Sequence, residues 1–209
     1  RIKTIQSSLE IEGNTLTVEQ ITDLINNKRV IAPKKDIMEV KNAIQVYSKL
    51  DSFNAYNLNS LYKAHKLLMS GLVDIPGQLR KTSVGIVKGA DIAHLAPPGE
   101  LVYPLLKNLF DYLKNDKDLL VIKSCVFHYE FEFIHPFIDG NGRIGRLWQT
   151  MILKDYSSVF EFLPIETLIK ERQQDYSNVL GKSDKQGSST SFIEFMLEIL
   201  NIALVDLLK

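Results

Sequence analysis

The sequence predicts a mainly α-helical protein that forms one compact unit and contains a single β-hairpin. Along most of the chain, apolar residues recur every three or four positions, which is the spacing of one face of an α-helix. Residues 82–99 differ, because β-branched residues lie on both sides of a Lys-Gly-Ala-Asp turn at 88–91, and two prolines follow. This pattern is typical of a hairpin. An isolated hairpin is only marginally stable, so we expect it to lie against helices.

The helices are predicted in order along the chain. The stretch "TVEQITDLINN" begins with a capping-box pattern, in which Gln20 follows Thr17 by three residues. Apolar stripes predict further helices at about 35–51, 58–70, 101–113, 142–155, 165–180 and 192–207. The polar stretch 181–190 is predicted to be a loop. The segment 122–133 fits both an alternating strand and a helical stripe, and periodicity leaves that choice open.

Composition narrows the classes of function. Lysine plus arginine and aspartate plus glutamate number 25 each, so the basic excess expected of a nucleic-acid partner is absent. No apolar run reaches the roughly 18 residues of a membrane span, so no membrane is expected. Cys125 is the only cysteine, which fits a reducing, cytoplasmic location and excludes an internal disulfide. Because the sequence begins at Arg1 rather than methionine, we expect that further residues or a further domain could belong to the chain.

The stretch "HPFIDGNGRIGR" contains the spacing Gly-x-Gly-x-x-Gly of a dinucleotide-binding loop, beginning at Gly140. Such a loop needs a parallel sheet, and no other part of the chain alternates short strands with helices. Pro136 and Asp139 stand where a buried strand should end, and two arginines interrupt the glycines. A zinc site is also disfavoured, because no histidine pair such as His-x-x-x-His places two ligands on one helical face.

A polyphosphate site explains more of these residues. If a helix begins at Gly142, the backbone N–H groups of Gly140, Asn141 and Gly142 point outward as an anion site. Arg143 and Arg146 are neighbours on one face of that helix. Cations at a helix N-terminus oppose the helix dipole, so they are better explained as ligands of phosphate groups. Asn141 would either donate to a phosphate or lock the loop.

Two further side chains in the stretch suggest catalysis. His135 is a suitable proton acceptor for a hydroxyl that attacks phosphorus, although a histidine can also be packed and inert. Asp139 would repel phosphate alone, but with Mg²⁺ it would join two phosphates. Its alternative role is a helix cap. Either Phe137 or Ile138 is expected to anchor the loop to the core.

Taken together, "HPFIDGNGR" and the following Arg146 resemble the motif of the Fic family at each defining position. The resemblance implies a Fic fold, a helical bundle with a β-hairpin flap over the active site. It also implies transfer of AMP from ATP to a serine, threonine or tyrosine hydroxyl of a protein, with release of pyrophosphate. His135 would be the general base, Asp139 the magnesium ligand, and residues 140–142 the anion site. Arg143 and Arg146 would bind the distal phosphates.

One residue of the motif distinguishes branches of the family. The Doc branch, which transfers phosphate instead of AMP, has lysine at the position of Gly142. The glycine therefore favours AMP transfer.

The N-terminal stretch "SSLEIEGN" resembles the inhibitory motif of the same family through Ser8, Glu12 and Gly13. The resemblance implies an inhibitory-helix region at 1–34 that precedes the Fic core at 35–209. A salt bridge from Glu12 to the second motif arginine would occupy the place of the γ-phosphate. Otherwise Glu12 is a surface carboxylate at the end of a short helix, with Gly13 as its cap.

The nucleoside and target contacts are predicted with fewer residues. Many relatives have paired tyrosines near adenine, whereas this chain has Tyr176 followed by serine, and Asp184 where an asparagine is expected. An exposed hairpin edge can pair with an extended target segment through its backbone. The residues assigned to that edge are Val84, Gly85, Ile86 and Val87.

We therefore predict an autoinhibited protein adenylyltransferase that uses Mg²⁺ and ATP. Its partners are a nucleotide and a target protein with a hydroxyl side chain. Two alternatives stay open: removal of AMP from a modified protein, with Glu12 positioning water, and a nucleotide-binding regulatory module with little turnover. The apolar face of 191–207 could be core or interface, so the sequence leaves a homo-oligomer open.

Overall fold

The computed structural model of the chain describes residues 1–88 and 91–208. Most of them are helical, which confirms the predicted mainly α-helical class. The helices are α1 Ile2–Ile11, α2 Val18–Ile25, α3 Lys34–Tyr47, α4 Leu58–Leu68, α5 Gly99–Asn115, α6 Leu120–Ile134, α7 Asn141–Tyr156, α8 Ile165–Glu171, α9 Gln173–Gln186 and α10 Thr190–Leu207, with short 3-10 helices at Leu50–Ser52 and Ser158–Phe162.

Two short strands pair where the hairpin is predicted. β1 Gly85–Lys88 and β2 Asp91–Leu95 are antiparallel, and their register shifts between Ile86 and Val87. Residues 89–90, the centre of the predicted turn, lie outside the described residues. The role of this strand pair as a flap over the site stays a prediction.

Helices α6 and α7 lie between two hydrophobic clusters and contribute to both. The first core cluster includes Phe127, Phe131 and Trp148, and the second core cluster includes Cys125 and Tyr129. Because opposite faces of α6 are buried, the helix has apolar residues on more than one face. For this reason its sequence also fits the alternating pattern of a strand. The ambiguous segment 122–133 is thus helical.

The predicted helix ends agree best where local chemistry marks them. Thr17 caps α2, and Gln20 completes the capping box, as predicted. The predicted loop at 181–190 is wrong for its first half, because α9 continues to Gln186 before Gly187 ends it. Its polar residues stay helical because they make tertiary contacts, such as the bond from the Tyr129 hydroxyl to Asp184.

A search of the described helices finds none that is both long and apolar enough to span a membrane.

Candidate active site

A short loop joins α6 to α7 and begins with His135, the predicted general base. His135 directly follows α6, is half-buried, and adopts the left-handed conformation with φ 48°. Phe137 is fully buried, and its ring stacks on that of His65 with centroids 3.7 Å apart. The neighbouring Ile138 is 62% exposed. Phe137 is therefore the anchor that fixes the loop to the core.

Asn141, the first residue of α7, closes the loop with its own side chain. Its Oδ1 accepts a hydrogen bond from the Phe137 N–H, and its Nδ2 donates to the Phe137 carbonyl, both at 2.9 Å. The side chain is buried, so both ends of its amide serve the loop. Of its two predicted roles, the structure supports the structural one.

His65 of α4 supports the same loop and was not predicted as a site residue. The Gly77 N–H donates to its Nδ1 at 2.8 Å, so the proton lies on Nε2, which is 2.9 Å from the Asp139 carbonyl oxygen. Burial lowers the pKa of His65 to about 4, which keeps the ring neutral at neutral pH. The sequence signal was a histidine between Leu61 and Leu68 on one apolar helix face.

The anion site is predicted at the N-terminus of α7, where one of its three proposed N–H donors already has a partner. The first backbone N–H groups of a helix have no acceptor within it, so those of Asn141 and Gly142 are available to an anion. The Gly140 N–H is instead bound to the Asp139 carboxylate, with N and Oδ1 2.6 Å apart. The Asp139 carboxylate therefore lies beside these N–H groups and already accepts a hydrogen bond from one of the three that were predicted to bind an anion.

Arg143 is buried between two carboxylates, which differs from the open phosphate ligand predicted from the sequence. Its Nη1 donates to Glu39 and its Nη2 to Asp139, each at 3.0 Å. Glu39 of α3 also accepts a bond of 2.8 Å from Asn14, directly after the predicted inhibitory motif. Glu39 was missed because nothing local distinguishes it from other charged residues of α3. Only tertiary packing places it next to Arg143.

Arg146 is bound by helix α1, and its contacts include the predicted salt bridge. Its Nη2 donates to the Glu12 carboxylate at 2.7 Å and to the Ser8 carbonyl at 2.9 Å, while its Nε donates to the Ser8 hydroxyl. Burial is the largest single effect and acts to lower the pKa of Arg146, but Glu12, Tyr176 and Glu132 together outweigh it, and the pKa is raised. Gly13, with φ +89°, then adopts the left-handed conformation in the turn after α1.

Gly142 makes room for this salt bridge. A Cβ atom at this position would lie 2.5 Å from the Glu12 carboxylate oxygen and 3.0 Å from Nη1 of Arg146. The first distance is shorter than a packed carbon atom tolerates and the second is tight, so the ends of these two side chains would have to shift. The carboxylate of Glu12 therefore lies against the bare backbone at the start of α7, where a phosphate would be expected.

Helix α1 is packed into the body of the molecule. Ile5 and Leu9 belong to the first core cluster. The Ser7 hydroxyl is 3.0 Å from that of Thr167 in α8, and Gln173 donates to the carbonyl of Ile11. The helix that presents Glu12 is thus fixed by apolar and polar contacts along its length.

The remaining predicted residues lie in two places, with Tyr176 close to Arg146 and the others at the strand pair. Tyr176 is buried, and its hydroxyl lies 2.9 Å from Nε2 of His128 in the interior, so that hydroxyl is engaged within the protein. Val84 precedes β1, and its carbonyl accepts a bond from the Ala96 N–H. Gly85, Ile86 and Val87 lie in β1.

A magnesium ion fits this site through one residue only. Within residues 1–88 and 91–208, no group of three or more histidine, cysteine, aspartate or glutamate side chains is arranged to hold a metal. The Asp139 side chain is 50% exposed beside the anion nest. One carboxylate is enough for Mg²⁺ when phosphate oxygens and water complete the shell, so this residue fits the ion.

Known proteins are similar to this chain both in the part that contains the motif and over most of the fold. Residues 55–153 match the Fic/DOC family. The chain is 48% identical to a Fic family protein of Desulfovibrio desulfuricans, with a TM-score of 0.95 over 99% of this chain and 64% of the other. Fic-1 from C. elegans has the same fold, with a TM-score of 0.70 at 18% identity, over 98% of this chain and 64% of the other.

Two curated relatives have names that state an activity. A probable protein adenylyltransferase of Aquifex aeolicus is 28% identical over 90% of this chain, and this chain spans 65% of its length. A protein adenylyltransferase of Caenorhabditis elegans is 27% identical over 78% of this chain, which spans 34% of its length. The chain thus corresponds to between one third and two thirds of these relatives.

Proposed function

Because residues 55–153 form a Fic/DOC family domain, we propose that this chain is a protein adenylyltransferase restrained by its own N-terminal helix. The observation that supports this proposal best is the Glu12–Arg146 salt bridge of 2.7 Å at the N-terminus of α7. In this bridge, Arg146, which is suited to bind phosphate, is paired with the carboxylate of Glu12 directly after α1. The adenylyltransferase names of the curated relatives support the activity.

In the proposed reaction, His135 acts on the hydroxyl of the target protein. The imidazole accepts the proton from a serine, threonine or tyrosine hydroxyl, and the oxygen forms a bond to the α-phosphorus of ATP. The bond between that phosphorus and the oxygen bridging to the β-phosphate breaks, and pyrophosphate leaves with the electron pair. The products are an AMP-modified side chain and pyrophosphate.

The phosphates of ATP would bind where the carboxylates now lie. The N–H groups at the start of α7 and the two guanidinium groups of Arg143 and Arg146 are suitable donors to phosphate oxygens. Asp139 would hold Mg²⁺, which supplies charge neutralisation to the phosphates when bound. Binding the γ-phosphate at Arg146 requires that Glu12 leave, which is the basis of the proposed inhibition.

The glycine at position 142 supports AMP transfer over phosphate transfer. A lysine there, as in the Doc branch, would project from the start of α7 into the space that Glu12 occupies. The bare backbone instead leaves this space to an anion.

A labelling experiment tests the proposal. Wild type, Glu12→Gly and His135→Ala are incubated with Mg²⁺, cell lysate as a source of targets, and ATP labelled on either the α- or the γ-phosphate. We expect α-label on protein with Glu12→Gly, little with wild type and none with His135→Ala. Glu19→Gly, at an exposed position of α2, is the control and should behave as wild type.

Two outcomes would contradict this proposal. Protein labelled from the γ-position would indicate phosphate transfer, and equal α-labelling by wild type and Glu12→Gly would remove the inhibitory role of α1.

AMP removal is the second candidate, because the Glu12 side chain is 31% exposed and so accessible to water. It predicts that Glu12→Gly loses hydrolysis of a target that was modified beforehand.

A further inference from the structure

Arg80 is a buried cation whose side chain donates only to backbone carbonyls in the contacts that the structure describes. It is 2% exposed and lies between α4 and β1 in the chain. Four hydrogen bonds of 2.7–2.9 Å leave its guanidinium group, from Nε, Nη1 and twice from Nη2. Burying a charge is costly unless every donor is satisfied, so such an arrangement needs an explanation.

Two of these bonds end at the C-terminus of α6. Nη2 donates to the Ile134 carbonyl at 2.9 Å, and Nε donates to the His135 carbonyl at 2.7 Å. The Arg80 N–H also donates to the carbonyl of Pro136. The last carbonyls of a helix have no partner within it and favour a cation. Arg80 thus fixes the backbone on both sides of His135, where the chain adopts its left-handed turn.

The other two bonds end at the base of the strand pair. Nη1 donates to the Thr82 carbonyl before β1, and Nη2 donates to the Pro97 carbonyl after β2, both at 2.7 Å. The two chain segments touch directly here, because a Cβ atom at Gly99 would lie 2.1 Å from the Lys81 carbonyl oxygen. One guanidinium group therefore connects both ends of the hairpin to the residue after α6.

We propose that Arg80 is a positioning residue that sets the distance between the general base and the strands that present the target. This inference rests on the proposed adenylyltransferase function. The hydroxyl would be aligned by the strand pair, and His135 must meet it within hydrogen-bonding distance. A single planar group bound to both parts holds them together, whereas the ammonium of lysine cannot span four carbonyls in fixed directions.

Kinetics of Arg80→Lys in the Glu12→Gly background test this role. We expect the maximal rate of protein labelling from α-labelled ATP to fall at least about tenfold, because small displacements of reacting groups are costly. The KM for ATP should change less than about twofold, because Arg80 does not contact residues 140–146 in the bonds described above. An unchanged rate, or a KM for ATP that rises with the loss of rate, would overturn the proposal.

Hydrogen exchange tests the same role without relying on activity. In Arg80→Lys, the Ala96 N–H, which donates to Val84 at the hairpin base, should exchange faster than in wild type. The Trp148 indole N–H, bound to the Ala55 carbonyl elsewhere in the core, should stay protected. Equal protection of Ala96 in both proteins would contradict the proposal.

A measurement on the wild type covers the case in which the variant fails to fold. The Arg80 Nε–H should give a slowly exchanging NMR signal, unlike that of the partly exposed Arg172. Fast exchange of both signals would overturn the proposal. If Glu12→Gly with Arg80 intact labels no protein, the proposed function fails, and these exchange rates alone decide whether Arg80 fixes the hairpin base to His135.

Discussion

At the scale of single residues, both arginines of the motif are already paired with carboxylates. Arg146 is bound to Glu12, and Arg143 is bound to Glu39 and Asp139. A buried guanidinium that loses its partner is strongly destabilising. In the proposed function, nucleotide binding would therefore exchange one anion for another, because phosphate oxygens would replace Glu12 at Arg146.

The close approach at Gly142 predicts a coupled effect on stability. Gly142→Ala should lower the free energy of unfolding by about 1–3 kcal/mol, because the new methyl group meets the Glu12 carboxylate. In the Glu12→Gly background the same change should be neutral or stabilising by up to about 1 kcal/mol, because alanine favours a helix. Urea denaturation of the four proteins measures this difference. Equal effects in the two backgrounds would contradict the contact.

Glu166 predicts a dependence of stability on pH. Burial raises its pKa from 4.5 to about 7. The folded protein therefore binds this proton more tightly than the unfolded chain, so the stabilisation is complete below pH 4.5 and is lost as the pH rises through about 7. The groups that face Glu166 are Arg146 and Thr150 of α7, Tyr47 of α3 and the amino group of Arg1.

Glu166→Gln, which resembles the protonated carboxyl, should therefore stabilise the protein at high pH. We expect a gain on the order of 3 kcal/mol at about pH 8 and little change at about pH 5. Chemical denaturation at both pH values provides the measurement. Glu171→Gln, an exposed position on α8, is the matched control. A gain of the same size at both pH values would show that the carboxyl does not titrate in this range.

At the scale of elements, the proposed restraint of the site by α1 requires that this helix stay docked. Leu9→Ala removes an apolar contact of a residue that is 2% exposed, at a cost of about 2–5 kcal/mol. We expect it to raise AMP transfer toward the level of Glu12→Gly without touching any residue of the motif. Labelling from α-labelled ATP measures this, with the half-buried Gln6→Ala as control. If Leu9→Ala lowers the melting temperature without raising AMP transfer, inhibition does not depend on the docking of α1.

The elements also show what could be predicted from the sequence. The capping box at Thr17 and the start of α7 within the glycine motif depend on local spacing, so both could be predicted. The supports of the site, namely His65, Arg80 and Glu39, contact partners up to 104 positions away in the chain, and no local pattern indicates such pairs. Tyr176 was assigned to the nucleotide by resemblance, and this role stays a prediction: the residue is buried close to Arg146, and its hydroxyl also contacts His128.

At the scale of the whole molecule, α6 and α7 connect the two core clusters. Each cluster contains a residue that can serve as its probe. Trp148, the only tryptophan of the sequence, lies in the first core cluster, and Cys125, the only cysteine, lies in the second. Since both helices contribute to both clusters, we expect a single cooperative unfolding transition.

Two probes test this expectation. Fluorescence of Trp148 and reactivity of the Cys125 thiol, measured along one urea series, should give the same midpoint. Separate midpoints would mean that α8–α10 unfold independently of the first core cluster. Neither residue contacts the motif loop in the bonds described, so the test is independent of the proposed activity.

The space above Gly142 also restricts how such sequences can diverge. A side chain at this position would reach the place that the Glu12 carboxylate occupies, so one of the two groups would have to move. A lysine at position 142 and a glutamate at position 12 would therefore compete for one space at the start of α7.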